Sequence, residues 1–230
     1  MGFRIIGESG QVEAPPSPTQ YRVDYQATGY PFKRAFDICF SLLALIFVAP
    51  LILVVAMIVR LHDGGPAFYS QKRVGKDGRT FNFYKLRSMV VDSQAQLEAL
   101  MARDPEARRE YTETHKLRND PRITPIGKFI RKSSIDELPQ LWNILIGDMS
   151  VVGPRPVEEF ETYRYGDDYK HYCSGAPGLT GLWQISGRND ISFQQRVDLD
   201  VHYVKNQSLS GDIFIILKTV PAVLKSSGAV

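Results

Sequence analysis

Cysteine is nearly absent: the 230 residues hold only Cys39 and Cys173. Two thiols cannot build a disulfide framework, and Cys39 lies inside an apolar run, so a reducing compartment is expected. Histidine is scarce too. His62, His115, His171 and His202 are scattered and lack the spacing of a His/Cys metal site. The chain has no G-x-S-x-G elbow, no Walker loop and no Rossmann glycine fingerprint, which removes many hydrolase and nucleotide-binding chemistries. Net charge is only +3, and no nucleic-acid reading motif accompanies it, so no nucleic acid partner is expected. No internal repeat is visible. With 43% hydrophobic and 23% charged residues, neither disorder nor coiled coil describes the whole.

What the chain has in abundance is one unbroken apolar stretch. Residues 38–59 (ICFSLLALIFVAPLILVVAMIV) contain no charge, and a run of this length is a membrane candidate because ~20 helical residues cover a hydrocarbon core of ~30 Å. It does not read as a signal peptide, since Arg60-Leu61-His62-Asp63 follows it instead of a small-residue cleavage site. Pro50 sits just past its middle. A proline removes one helical hydrogen bond and clashes with the carbonyl four residues back, and it pushes the preceding Ala49 away from helical geometry. Lys33 and Arg34 flank one side of the run; Arg60, Lys72, Arg73 and Lys76 follow the other. Basic flanks on both sides favour a segment that enters and returns on one membrane face, with a proline-kinked spanning helix as the alternative.

Residues 1–31, with Pro15, Pro16 and Pro18, read as a mobile N-terminal tail, and 32–230 as a single domain with the membrane segment at about 36–60. Residues 68–84 carry a strand–turn–strand pattern with Asp77-Gly78 as the turn. Helices are expected over 92–113, interrupted at Pro105, over 136–146 and over about 192–206. The apolar segment 212–225 suits either a membrane interface or the core. These signals put strands and helices together after the apolar segment; the mixed α+β (α/β) membrane-associated domain, with a helix-break-helix membrane segment, interfacial helices and a small sheet, is what the family resemblance described below implies.

Basic residues segregate into 71–88 and 116–132, with an acidic helical stretch between them. Solvated faces, a lipid-facing polybasic surface and a phosphate pocket all remain open for them. In Tyr84-Lys85-Leu86-Arg87-Ser88 an extended backbone puts Lys85 and Arg87 on one face, which favours phosphate; Lys72, Arg73 and Lys76 better suit lipid. Ser134-Ile135-Asp136-Glu137 has the form of a capping box, while Pro139, tolerated only in a first turn, would move the helix start towards Asp136; either way Asp136 and Glu137 fall in a helix's first turn. They are then plain helix-start carboxylates, or else a nucleophile able to form an acyl phosphate beside a Mg²⁺ ligand. Prolines on both sides of Arg155 hold its backbone, and Trp183, Gln184 and Arg188 follow in a glycine-rich stretch suited to a nucleotide.

Several motifs in a fixed order carry a resemblance. They are Lys33-Arg34-Ala35-Phe36-Asp37, Gly64-Gly65-Pro66, Gln71-Lys72-Arg73-Val74-Gly75, Tyr84 to Met89, Asp120 to Thr124, Ser134 to Leu141, Gly147 to Pro156 and Pro177 to Arg188. Over about 33–225 the chain resembles the bacterial sugar transferases, the monotopic phosphoglycosyl transferases. It is most similar to the short undecaprenyl-phosphate galactose or glucose phosphotransferases of exopolysaccharide initiation. The resemblance implies a re-entrant helix broken at its proline and a catalytic part on the cytoplasmic face of the bacterial inner (plasma) membrane. It further implies a UDP-sugar donor, a polyprenyl phosphate acceptor and release of UMP. Asp136 would be the nucleophile and Glu137 the Mg²⁺ ligand. Lys85, Arg87, Arg131 and Arg155 would handle phosphate and nucleotide, with Gln184 and Arg188 on the nucleotide side. The family commonly places Ser before the helix-breaking proline, where this chain has Ala49-Pro50. A transferase that moves only the sugar and releases UDP, and a membrane-tethered scaffold, are the rival readings. The sugar's identity and a homo-oligomeric state are left open.

Overall fold

A computed structural model describes residues 29–114, 116–187 and 191–225. The expected tail falls outside the described residues up to position 28. Helix α1 (Lys33–Asp63) comes first, followed by the hairpin β1 (Phe68–Val74) and β2 (Thr80–Leu86). Helices α2 (Ser93–Arg103), α3 (Pro105–Thr114), α4 (Pro125–Lys132) and α5 (Gln140–Ile146) precede the short strand β3 (Ser150–Val152). Then come α6 (Tyr169–Ser174), β4 (Gly178–Thr180), α7 (Leu182–Ile185), α8 (Phe193–Lys205) and α9 (Leu209–Lys225). Two-stranded sheets and many helices make the mixed α+β fold that the sequence predicts.

The hairpin forms where expected. β1 and β2 pair antiparallel, Lys72 opposite Asn82, and Asp77 (φ 58°) and Gly78 (φ 70°) both adopt the left-handed conformation of a tight hairpin turn. Pro105 divides α2 from α3 as predicted. Strand β3 pairs in parallel with β4, and there Gly153 and Gly178 bring their backbones into contact: a Cβ on Gly178 would stand 2.1 Å from the Gly153 nitrogen. Only glycine fits on both sides.

Three apolar clusters fill the body. Phe81 and Phe83 of β2 meet Leu141 and Ile144 of α5, Met149, Val151, Tyr203 and Ile215. Val74, Val157, Tyr165, Tyr172 and Val197 form a second. The third joins Ile52, Val55, Ala56 and Val59 of α1 to Leu86 and Ile130. Phe36, Phe40, Leu45 and Val48 of the first half of α1 pack on the first cluster. One stripe of α1 therefore rests on the body along most of its length, while Leu43, Phe47, Leu53 and Met57 on the other side are exposed.

The interruption expected at Ala49-Pro50 is absent from the backbone: α1 is helical without a gap through Pro50. The reason is visible in the packing, because both halves share one buried stripe and Pro50 lies on the opposite, exposed side. The last apolar segment packs on the core in part: Ile215 of α9 is buried, whereas Ile213, Phe214, Leu217 and Val220 are exposed.

Polar contacts pin both ends of α1. Lys33 donates to Asp37 at 3.1 Å and to Asp212 at 2.7 Å, and Tyr30, from the end of the expected tail, donates to Asp212 at 3.0 Å. Asp37 also accepts from the Val151 N–H at 3.0 Å and the Ser150 hydroxyl at 3.1 Å. Arg34 donates to the Ile144 and Leu145 carbonyls at the end of α5. At the far end, Arg87 donates to both oxygens of Asp63.

The Lys33 node yields a stability prediction. Its side chain is 14% exposed and that of Asp212 is fully buried, so Lys33→Met leaves buried carboxylates without their cation. The expected loss is about 3–5 kcal/mol, read by denaturant unfolding in detergent. Adding Asp212→Asn should recover part of that loss; a double variant no better than the single one would refute the assignment.

Candidate active site

The turn bearing Asp136 and Glu137 is built differently from the expected capping box. Ser134 ends α4 in the left-handed region (φ 56°) and its side chain caps nothing. Glu137 N–H donates to the Ser134 carbonyl and Leu138 N–H to that of Ile135, each at 3.2 Å, giving one 3-10 turn. Pro139 then stands at the cap of α5, which begins at Gln140. Without an N–H, proline is tolerated at a helix start and costly inside, so α5 begins after the carboxylates instead of around them. Ile135 and Leu138, on either side of the pair, pack against the cluster that joins Ile52, Val55, Ala56 and Val59 of α1 to Leu86 of β2 and Ile130 of α4. The carboxylate turn, held by β2 and α4, thus borders the apolar cluster that α1 helps to form.

Lys85 is brought to this turn by β2. Its ammonium lies 2.7 Å from Glu137 Oε1 and 3.6 Å from Asp136 Oδ2. Glu137 keeps 41% of its side chain exposed and Asp136 only 9%. Burial pushes the Asp136 carboxyl above the usual carboxylate range; Lys85 opposes this, Glu137 adds to it, and Arg131 opposes it again. Asp136 is therefore a desolvated carboxylate whose charge depends on two cations.

Arg87 departs from its expected role. The residue lies beyond the end of β2, is 7% exposed, and gives its donors to Asp63, the Pro66 carbonyl and the Met89 carbonyl. A guanidinium so occupied ties the end of α1 to β2 and is not presented to a phosphate. Arg73, expected to face lipid, instead pairs with Glu158 at 3.0 Å and lies 3.6 Å from Glu161. Lys72 and Lys76 remain exposed.

Arg155 lies in a second cluster. Its guanidinium is 5.5 Å from the centre of the Trp183 ring, and that of Arg196 is 5.0 Å from the same ring. These groups line a cavity with Glu161, Tyr165, Phe193 and Asp200, with about 10 Å³ of free space. Asp200 is buried, accepts from the Tyr165 hydroxyl at 2.9 Å and from the Arg155 backbone N–H. Burial drives its carboxyl up to about 7. The Gln184 side chain folds toward Gly181, close enough that a Cβ there would meet its Oε1 at 2.6 Å. Arg188 lies outside the described residues. Arg196 and Asp200 were not singled out from the sequence, although their spacing of four on the predicted helix 192–206 places them on one face.

Among the described residues no three His, Cys, Asp or Glu side chains gather as a metal cage. That donor set suits Mg²⁺ only in its substrate-linked mode, with one or two carboxylates and phosphate oxygens completing the shell. The partly exposed Glu137 beside Asp136 fits this mode.

The chain matches the bacterial sugar transferase family over residues 28–226. It is 53% identical over 197 residues to an undecaprenyl-phosphate galactose phosphotransferase of Salmonella typhimurium and to a UDP-galactose-lipid carrier transferase of Erwinia amylovora. Each alignment covers 86% of this chain and 41% of the relative, so the chain spans less than half their length. Against the exopolysaccharide production protein ExoY of Sinorhizobium fredii it is 48% identical over 197 residues, covering 86% of this chain and 87% of that one.

Asp200 gives the site a pH signature. Burial holds its carboxyl at about 7, well above the usual carboxylate range, so the folded state holds the proton more tightly and stability falls as pH rises from about 4 to about 7. Asp200→Asn removes this slope. Between pH 5 and pH 8 the variant's melting temperature should gain on the wild type by on the order of 5 °C. Parallel melting curves for the two proteins would contradict the assignment.

Proposed function

The chain belongs to the bacterial sugar transferase family, and on that premise we propose that it moves a sugar-1-phosphate from a UDP-sugar to a polyprenyl (undecaprenyl) phosphate, releasing UMP. The reaction takes place at the cytoplasmic face of the bacterial inner membrane, as the first membrane step of exopolysaccharide assembly. The observation that carries this reading is the place of the Asp136–Glu137 turn: Ile135 and Leu138 pack on the apolar cluster that α1 shares with Leu86 and Ile130, so the carboxylate pair adjoins the core of the one helix among the described residues that is long and apolar enough to enter a bilayer. A water-soluble donor and a lipid-borne acceptor meet most simply at such a junction. The names of the relatives point to the same donor and carrier classes.

Asp136 acts as the nucleophile. Its side chain is little exposed, so little hydration has to be stripped before it attacks the donor's β-phosphorus, and Lys85 and Arg131 favour its charged form. The same two cations face the charge that spreads over the transferring phosphoryl oxygens, where positioning and electrostatics do most of the catalysis. The resulting phosphosugar ester on Asp136 is then attacked by the lipid phosphate. Glu137, with the donor's phosphates, would hold Mg²⁺, which supplies Lewis-acid neutralisation of phosphate charge. Arg155, beyond this pair, serves the nucleotide side.

We propose that α1 is re-entrant, which the attachment of both its ends to the same body supports: Lys33, Arg34 and Asp37 at one end and Asp63 at the other. Its exposed apolar side is the part that enters lipid.

Two experiments test this. Membranes with the protein, labelled UDP-sugar and polyprenyl phosphate should yield UMP, and UDP as the product would end the proposal. In the same assay Asp136→Asn should lose at least about 10³-fold in rate, and mass spectrometry of the wild type stopped without acceptor should find a phosphosugar adduct on Asp136. For topology, single cysteines at the exposed Phe32 and Leu61 positions in a Cys39→Ser background should both react only from the cytoplasmic side. Labelling from opposite sides means a spanning helix.

A further inference from the structure

Helix α5 continues the winding of the carboxylate turn. Leu138 and Pro139 keep right-handed helical angles, Leu141 N–H donates to the Leu138 carbonyl at 3.1 Å and Trp142 N–H to that of Pro139 at 3.0 Å. From Asp136 to Asn143 the backbone therefore follows one helical path, and residues four and seven after Asp136 return to its side. These are Gln140 and Asn143. All three side chains belong to buried residues: Asp136 is 6% exposed, Gln140 2% and Asn143 0%. Each member of such a buried polar stripe needs a hydrogen-bond partner.

Strand β2 supplies partners at both ends of the stripe. Lys85 lies 3.6 Å from Asp136. Asn143 donates to the Asn82 carbonyl at 2.7 Å and accepts from the Tyr84 N–H at 3.1 Å. Gln140 stands between them, one turn from Asp136, and its Nε2 is buried with no acceptor among the described residues. An acid four residues away along a helix is within a glutamine's reach: Gln94 donates to Glu98 and Gln194 to Asp198, each at 3.1 Å. Gln140 makes no such bond to Asp136. A leucine would fill this place without leaving a buried donor unpaired. A donor kept on the nucleophile's side of the helix is accounted for by an acceptor that arrives with the substrate.

We infer that Gln140 is a further catalytic residue, whose amide N–H donates to a non-bridging oxygen of the phosphoryl group that passes through Asp136. The inference rests on the function proposed above and adds a neutral, directional donor to the cations Lys85 and Arg131. In the first step an Asp136 Oδ–Pβ bond forms while the bond from Pβ to the oxygen it shares with UMP breaks, and the electron pair leaves with UMP. In the second step a polyprenyl phosphate oxygen bonds to Pβ, and the pair of the breaking Pβ–Oδ bond returns to Asp136. Gln140 keeps its proton throughout. A donor already fixed by burial needs no reorganisation to meet the phosphoryl oxygen, which is what makes such groups effective at a reacting centre.

The test uses the full chain in lipid nanodiscs with polyprenyl phosphate withheld, so that UMP release in a single turnover reads the first step alone. Gln140→Leu should slow that step by about 10²-fold and leave the dissociation constant of UDP-sugar within about threefold of wild type. Its melting temperature should be unchanged or raised, because the variant removes an unpaired polar group from the interior. The contact itself is read with the two diastereomers of a UDP-sugar that carries sulfur in place of one non-bridging β-phosphate oxygen. Gln140→Leu should change the ratio of their rates by about tenfold relative to wild type. A wild-type rate in Gln140→Leu, a rate loss that comes with a lowered melting temperature, a loss confined to donor binding, or an unchanged diastereomer ratio each overturns the assignment. Wild type that, given the lipid acceptor, makes UDP and no UMP is instead a failure of the parent reading.

Discussion

Both ends of the apolar helix α1 are bonded to one polar body, and the rest of the structure is arranged around that attachment. Lys33, Asp37 and Asp212 fix the start of α1 to α9 and β3, while Asp63 and Arg87 fix its finish to the edge of β2. Between them, a stripe of alternating helical contacts rests on β2, α4 and α5. The helix thus has one exposed apolar side and one side packed on the body.

A second tension lies in the proposed nucleophile, Asp136. Attack requires a charged carboxylate, yet burial raises Asp136 above its usual range. Lys85 and Arg131 lean the other way. Lys85 is closer to Glu137 than to Asp136, so its charge is shared between the two. When a donor's phosphates draw Lys85 or a metal draws Glu137, the balance on Asp136 changes with the ligand. A partly neutralised, desolvated acid of this kind is reactive only when its site is filled.

Much of this was legible in the sequence. Asp77-Gly78 announced its hairpin, Pro105 its helix boundary, and the length and basic flanks of residues 38–59 the apolar helix. These are local signals, each decided within a few residues. What failed was decided by tertiary partners. The Ser134 to Glu137 spacing promised a capping box, but α4 ends in a left-handed Ser134 and Pro139 delays α5. Alternation placed Lys85 and Arg87 together, but the strand stops at Leu86 and Asp63, twenty-four positions away, claims Arg87. Pro50 signalled a break, and the packing of both helical halves on one stripe kept the helix whole. Arg196 carried no signal of its own, since a single arginine on an amphipathic helix ordinarily faces solvent.

Asp200 shows why burial, and not charge count, decides the character of the second cluster. Its carboxylate lies beside Arg155 and Arg196, and both help it to ionise. Fully charged, it would be their natural partner and would compete with any phosphate. Desolvation outweighs that attraction and brings its proton to about neutral pH, while Tyr165 occupies one oxygen. The carboxyl therefore organises the Arg155 backbone by hydrogen bonding without cancelling the guanidinium charge. A surface aspartate at the same position would lower the positive potential that an anionic ligand meets, so the depth of α8 in the body is itself part of the site's electrostatics.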